Sequence, residues 1–109
     1  MILIAFLSNP EGVSRAVKGE SQFTIKVTGT DGLAFNGSYM TMFSDGSSKS
    51  QTIEGKIPTQ YAVECKIVSA CFQKQTIKGL LRIDILKDNE VISWSEASAE
   101  YGIVTVATQ

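Results

Sequence analysis

The sequence predicts an all-β fold, an immunoglobulin-like β-sandwich of about seven antiparallel strands. Three observations lead there. Apolar residues recur with period two over most of the chain, the spacing of strands with one buried face. Turn signals rich in Gly, Asp, Asn and Ser punctuate the runs every 8–12 residues or so. The chain has 109 residues, enough for one domain with one core. It is read as a single domain, 1–109, with an N-terminal strand and turn or short helix over 1–22 and the sandwich core over 23–107.

Met1-Ile2-Leu3-Ile4-Ala5-Phe6-Leu7 is apolar. It is too short to span a membrane and lacks the basic start and cleavage site of a signal peptide. Two readings stand: a first buried strand, or the remnant of a longer export or anchor segment. Asn9-Pro10-Glu11 then suits a helix start and Gly19 a stop, giving a turn or short helix. Phe23, Ile25 and Val27 alternate with Thr24, Lys26 and Thr28 as a half-buried strand. Thr30-Asp31-Gly32 marks a turn. Phe35 to Phe43 forms the next strand, with Tyr39 and Thr41 on one face and Met40 and Met42 on the other. Asp45-Gly46 is a hairpin signal, and Ser50 to Ile53 returns as a short polar edge strand.

Pro58 opens a long strand in which Tyr61, Val63, Cys65 and Ile67 share a face. The apolar phase then shifts to Val68, Ala70 and Phe72, which predicts a bulge or a segment covered on both faces. Leu81, Ile83 and Ile85 alternate with Arg82 and Asp84, placing the last two side by side as an exposed ion pair. Lys87 to Glu90 is a turn, and Val91 to Ser95 returns with Ile92 and Trp94 on one face. A polar stretch, Glu96 to Glu100, precedes the last strand, Tyr101 to Ala107. There is no Cys…Trp…Cys framework of the antibody kind, and a small barrel is the competing architecture.

Composition restricts function. The net charge of −1 argues against a nucleic-acid binder, which needs a basic face. Positive charge concentrates between Lys49 and Arg82 and acids from Asp88 onward, as solvated strand faces or as a patch for an anionic partner. The sequence contains no histidine, so serine–histidine–acid and cysteine–histidine catalysis lack their imidazole. Histidine-based zinc sites are excluded, and two cysteines cannot complete an all-cysteine site within one chain. Cys65 and Cys71, if on one strand, lie about 20 Å apart, beyond the reach of a disulfide, and read as small buried hydrophobes. Asn36-Gly37-Ser38 matches a glycosylation acceptor. No phosphate-cradling loop or cofactor motif occurs, and no cofactor is expected.

Several fragments together resemble a known family. These are Val27-Thr28-Gly29, Gly37-Ser38-Tyr39, Asp45-Gly46, Gln51 to Gly55, Ile57-Pro58, Ile67 to Ala70, Gly79 to Ile85 and Ala99 to Val104. Across residues 23–107 they are similar to the small extracytoplasmic domain of MmpS-type transport accessory proteins. The resemblance implies an immunoglobulin-like sandwich without catalytic residues, working outside the cytoplasmic membrane beside a membrane transporter. Members usually carry an N-terminal anchor, which Met1 to Leu7 is too short to be, and their cysteines lie elsewhere.

Three functions follow in order of preference. The first is a non-enzymatic binding or accessory module with a protein partner. The second is a structural domain that self-associates through the N-terminal strand or the Ser50–Ile53 edge. The third is an enzyme using carboxylate or lysine chemistry in a concave pocket. The candidate interface residues are Ile2, Ile4, Phe6, Trp94 and Tyr101.

Overall fold

The computed structural model describes residues 20–108. The expected N-terminal strand, with Ile2, Ile4 and Phe6, and the turn or short helix after it lie outside the described residues. Within them the chain is all-β, in eight strands. These are β1 (Ser21–Gly29), β2 (Ala34–Met42), β3 (Ser48–Lys56), β4 (Thr59–Cys65), β5 (Ile67–Lys74), β6 (Leu81–Lys87), β7 (Glu90–Ala97) and β8 (Ile103–Ala107).

They form two four-stranded sheets, here called A (β4-β1-β6-β7) and B (β3-β2-β5-β8). Every pairing is antiparallel. An immunoglobulin domain places its strands A, B, E and D in one sheet. The likeness here is therefore one of architecture, with a different strand order. Only two neighbouring strand pairs in sequence, β2–β3 and β6–β7, are hairpins; the other connections cross between the sheets.

The extra strand has a local cause. Residues 59–74 read as one strand because period two hardly breaks. The break falls at Lys66, a single exposed residue between β4 and β5, whose amide donates to the Met42 carbonyl at 2.8 Å. There the chain leaves sheet A and enters sheet B. Tyr61, Val63 and Cys65 face the interior from one sheet, and Val68, Ala70 and Phe72 face it from the other. The phase shift records a change of sheet rather than a bulge within a strand. A bulge does occur in β6–β7, where the register slips between Ile85 and Leu86 and Ile92 is the extra residue.

The core follows from the alternation. Phe23, Ile25 and Val27 of β1 and Leu81, Ile83 and Ile85 of β6 meet Phe35, Val68, Ala70, Phe72, Val104 and Val106 of sheet B. Fully burying each large apolar side chain is worth about 1.5–3 kcal/mol. Phe35 stacks on Phe72 with ring centroids 5.3 Å apart. Close sheet packing needs Gly37 on β2. A Cβ there would stand 2.1 Å from the Cys71 carbonyl oxygen and 2.8 Å from the Phe72 Cα.

One core position is charged. Lys74 is 0% exposed and continues the inward series Val68, Ala70, Phe72. Its ammonium donates to the carbonyls of Ser98 at 3.1 Å and Ala99 at 2.8 Å. This holds the crossover from β7 to β8 against the core. The last strand begins at Ile103, not Tyr101. Tyr101 sits at φ 52°, in a turn closed by the Gly102 amide on the Ala99 carbonyl, while its own amide donates to the Thr76 carbonyl, and a left-handed residue cannot continue a strand.

Candidate functional site

Alternation gives each sheet an outer face, and the two faces differ in chemistry. On sheet A the register aligns Gln60, Lys26, Asp84 and Trp94 in one row across the four strands. Arg82 and Glu96 pair in the next row. The Arg82 Nε donates to Asp84 Oδ1 at 2.9 Å, and its Nη1 lies 3.9 Å from Glu96. The expected Arg82–Asp84 ion pair is therefore formed, with Asp84 largely shielded from solvent. The same guanidinium lies 4.1 Å from the centre of the Trp94 ring, a cation–π contact.

Trp94 is 53% exposed, and Val91 and Ile92 beside it on β7 are exposed too. Trp94 is thus a surface residue, with its ring packed against the Arg82 guanidinium. The bulge at Ile92 puts both Val91 and Ile92 in solvent at the sheet edge. Bulges and edge strands are where sheets tolerate such irregularity.

On sheet B, β2, β5 and β8 carry one charge between them, Lys74, and that side chain points inward. Their outward positions are uncharged; the outward charges of sheet B, Glu54 and Lys56, lie on the edge strand β3 opposite Asn36 and Ala34. Met42 pairs with Ile67, Met40 with Ser69, Ser69 with Ala107, Ser38 with Cys71, and Cys71 with Thr105. Met40 is 44% exposed and Met42 39%. Cys71 is a free, exposed thiol, which corrects the expectation that both cysteines are buried. Cys65 is buried inside the sandwich. Burial, with the charges of Glu20 and Glu64 adding, pushes its thiol up to about 11.

Tyr101 is 48% exposed but does not join Trp94. It lies in the β7–β8 connection, where its carbonyl accepts from the Gln73 side chain at 3.1 Å. The two aromatic candidates thus occupy different surfaces. The edge expectation for Ser50 to Ile53 lies within β3, which is longer than expected and forms an edge of sheet B.

Between β3 and β4 runs a groove of about 180 Å³ lined by Tyr39, Thr41, Phe43, Gln51 and Val63, with Lys49 and Glu64. The Tyr39 and Tyr61 rings meet at 5.8 Å. Burial raises both phenols above their ordinary range, and for Tyr39 the neighbouring Tyr61 adds to it. Among the described residues, no three His, Cys, Asp or Glu side chains group as a metal site. No helix among them is long and apolar enough to cross a membrane.

Sequence reading missed Lys74 and the uncharged outer face of sheet B. Lys74 falls among the positive charges between Lys49 and Arg82 that read as solvated faces or a patch, although its place in the Val68-Ala70-Phe72 phase marks it as inward. The uncharged face has its signal in the composition of β2, β5 and β8, and becomes a surface only when their order is known. Compared with known proteins, the chain matches no family model and no curated protein, so the likeness to the MmpS-type domain rests on its short turn and strand fragments alone.

Proposed function

We propose that the chain is a non-enzymatic binding module that docks on a protein partner through the outer face of sheet A near β7. The observation that carries this reading is Trp94, more than half exposed yet packed against the Arg82 guanidinium. Tryptophan and arginine are the side chains most enriched where binding energy concentrates. A pre-positioned ring loses little conformational entropy on docking. Val91 and Ile92 supply apolar contact beside it, and Asp84 and Glu96 a polar rim. A module of this kind suits the role that the MmpS-type resemblance implies, an accessory domain outside the cytoplasmic membrane beside a membrane transporter.

The test places a photo-crosslinking amino acid at Ile92, leaving Trp94 intact, with Lys78 as an exposed control position. A crosslinked partner at position 92 that disappears with Trp94→Ala supports the reading. Equal capture at both positions defeats it.

A second reading has its own observation. Strand β3 is an edge of nine residues paired on one side only, so its other side can accept a strand from a second copy. Light scattering over a dilution series separates the two. A constant monomer mass removes self-association, and a dimer lost on substituting a proline for Thr52 establishes it.

A further inference from the structure

We infer that the uncharged part of the outer face of sheet B, the rows from Met42 to Cys71, is the seat of this chain's own apolar segment, residues 2–7. Three observations converge on it. The first is the chemistry of the face. Met42 and Ile67, then Met40, Ser69 and Ala107, make a surface without a charged side chain. The outer face of sheet A offers no such seat, since covering it would desolvate Lys26, Arg82, Asp84 and Glu96.

The second is where the preceding chain attaches. A carboxylate oxygen of Glu20 accepts from the Ser44 amide at 3.0 Å and from its hydroxyl at 3.1 Å. Ser44 begins the turn just past Met42, and the Lys66 amide binds the Met42 carbonyl beside it. Glu20, the first described residue, is therefore held at the end of the sandwich where Met42 and Ile67 lie. Residues 8–19 span up to about 40 Å when extended, and the rows from Met42 to Cys71 cover only about 14 Å of strand.

The third is the occupant. Ile2-Leu3-Ile4-Ala5-Phe6-Leu7 is the longest uninterrupted apolar run of the sequence together with Met1. Six extended residues cover about 20 Å, enough to cover the uncharged rows from Met42 to Cys71. A tether of this length holds the segment at an effective concentration on the order of mM. Attachment in cis thus outcompetes a free apolar peptide of equal intrinsic affinity. This inference concerns sheet B and stands apart from the docking role given to Trp94.

Cys71 reports on it directly. It lies on that face, bonded by Thr105 Oγ1 at 3.6 Å, and its exposed thiol reacts with a maleimide unless something covers it. Cys65, buried and with its thiol pushed up to about 11, is the internal control. The experiment compares the labelling rate of Cys71 in the full chain, in a chain lacking residues 2–7, and in the Ile4→Asp and Met40→Glu variants. Mass spectrometry assigns the label, and a cooperative thermal transition confirms that each is folded. The expected result is a rise of tenfold or more on deletion and in both variants, with the full-chain rate independent of protein concentration. If the deletion fails to fold, the two point variants carry the comparison. An unchanged rate overturns the inference. So does protection that grows with concentration alongside a doubled mass, because the occupant is then a second copy. In either case crosslinking from position 92 still reports independently on sheet A.

Discussion

The two outer faces of this sandwich are built by the same alternation and end with opposite chemistry. On sheet A, charges answer one another: Arg82 serves Asp84, Glu96 and the Trp94 ring at once. On sheet B the three adjoining strands β2, β5 and β8 send only uncharged side chains outward. The difference matters because removing a charge from water costs several kcal/mol even after relaxation. A charged face with one fixed aromatic suits a wet contact that leaves its rim solvated. A face of Met, Ile, Ala, Ser and Thr loses little when it is covered outright. Uncovered, it is open to adventitious pairing.

The largest expected effect comes from breaking the scaffold of sheet B. Gly37→Ala puts a methyl group 2.1 Å from the backbone oxygen of Cys71 and against the Phe72 backbone. Neither neighbour is the end of a flexible side chain, so β2 must separate from β5. The expected cost is about 3 kcal/mol or more, or roughly 12–24 °C of melting temperature. Circular dichroism melts measure it, and a loss under about 1 kcal/mol would mean that β2 and β5 separate at little cost.

The next effect sets the faces directly against each other. Met40→Glu places a charge between Ser50 and Ser69, with no partner in its row. Gln60→Glu places one next to Lys26 on sheet A. Under urea, Met40→Glu is expected to cost about 1–2 kcal/mol in the full chain and under about 0.5 kcal/mol once residues 2–7 are deleted. Gln60→Glu stays within about 0.5 kcal/mol in both. Equal costs at the two sites would erase the distinction between the faces.

A smaller effect probes the sheet A network. Arg82→Ala removes the cation from Trp94 and leaves Asp84 and Glu96 without it. The expected loss is about 1 kcal/mol, combining a surface cation–π contact with partly exposed ion pairs. Much of the ionic part should vanish at high salt, where the Debye length falls to about 3 Å. Trp94 emission should shift as the guanidinium leaves. A loss that does not respond to salt would assign Arg82 a packing role instead.

How much of this was legible differs between fold and site. Period two revealed the strands, and Asp45-Gly46 and Lys87 to Glu90 located both hairpins. The central residues of the second, Asp88 and Asn89, sit at φ 53° and 64°, the left-handed pair that a tight hairpin turn requires. The sheet change at Lys66 was not legible, because one exposed lysine at a corner has the same local pattern as one at a bulge. For Trp94 and Tyr101, sequence gave the residue type but not the exposure. Whether an aromatic on a strand faces in or out depends on which strands lie across from it, and strand order is a property of the whole chain. The uncharged face of sheet B was hidden for the same reason. β2, β5 and β8 are far apart in sequence and become one surface only after β5 pairs with both.

The smallest effect separates the hairpin turns that end the two sheets. In the sheet B turn, Asp45 Oδ1 accepts from the Ser47 hydroxyl at 2.6 Å and from its amide at 2.9 Å. These bonds, the hydroxyl first, hold the Asp45 carboxyl below the usual aspartate range. A folded-state value below the unfolded one means that the unfolded chain binds the proton more readily. The contribution is therefore complete above the unfolded value, near pH 4, and fades as pH falls through the folded one. The sheet A turn reaches the same reversal through the left-handed pair Asp88 and Asn89. Asp45→Asn keeps an acceptor oxygen but cannot titrate. Melting temperatures of the wild type and Asp45→Asn, taken from pH 6 down to pH 2, should therefore converge below about pH 4. Parallel curves over that range would show that the turn is held by Gly46 and its backbone bonds, with the carboxylate contributing nothing measurable.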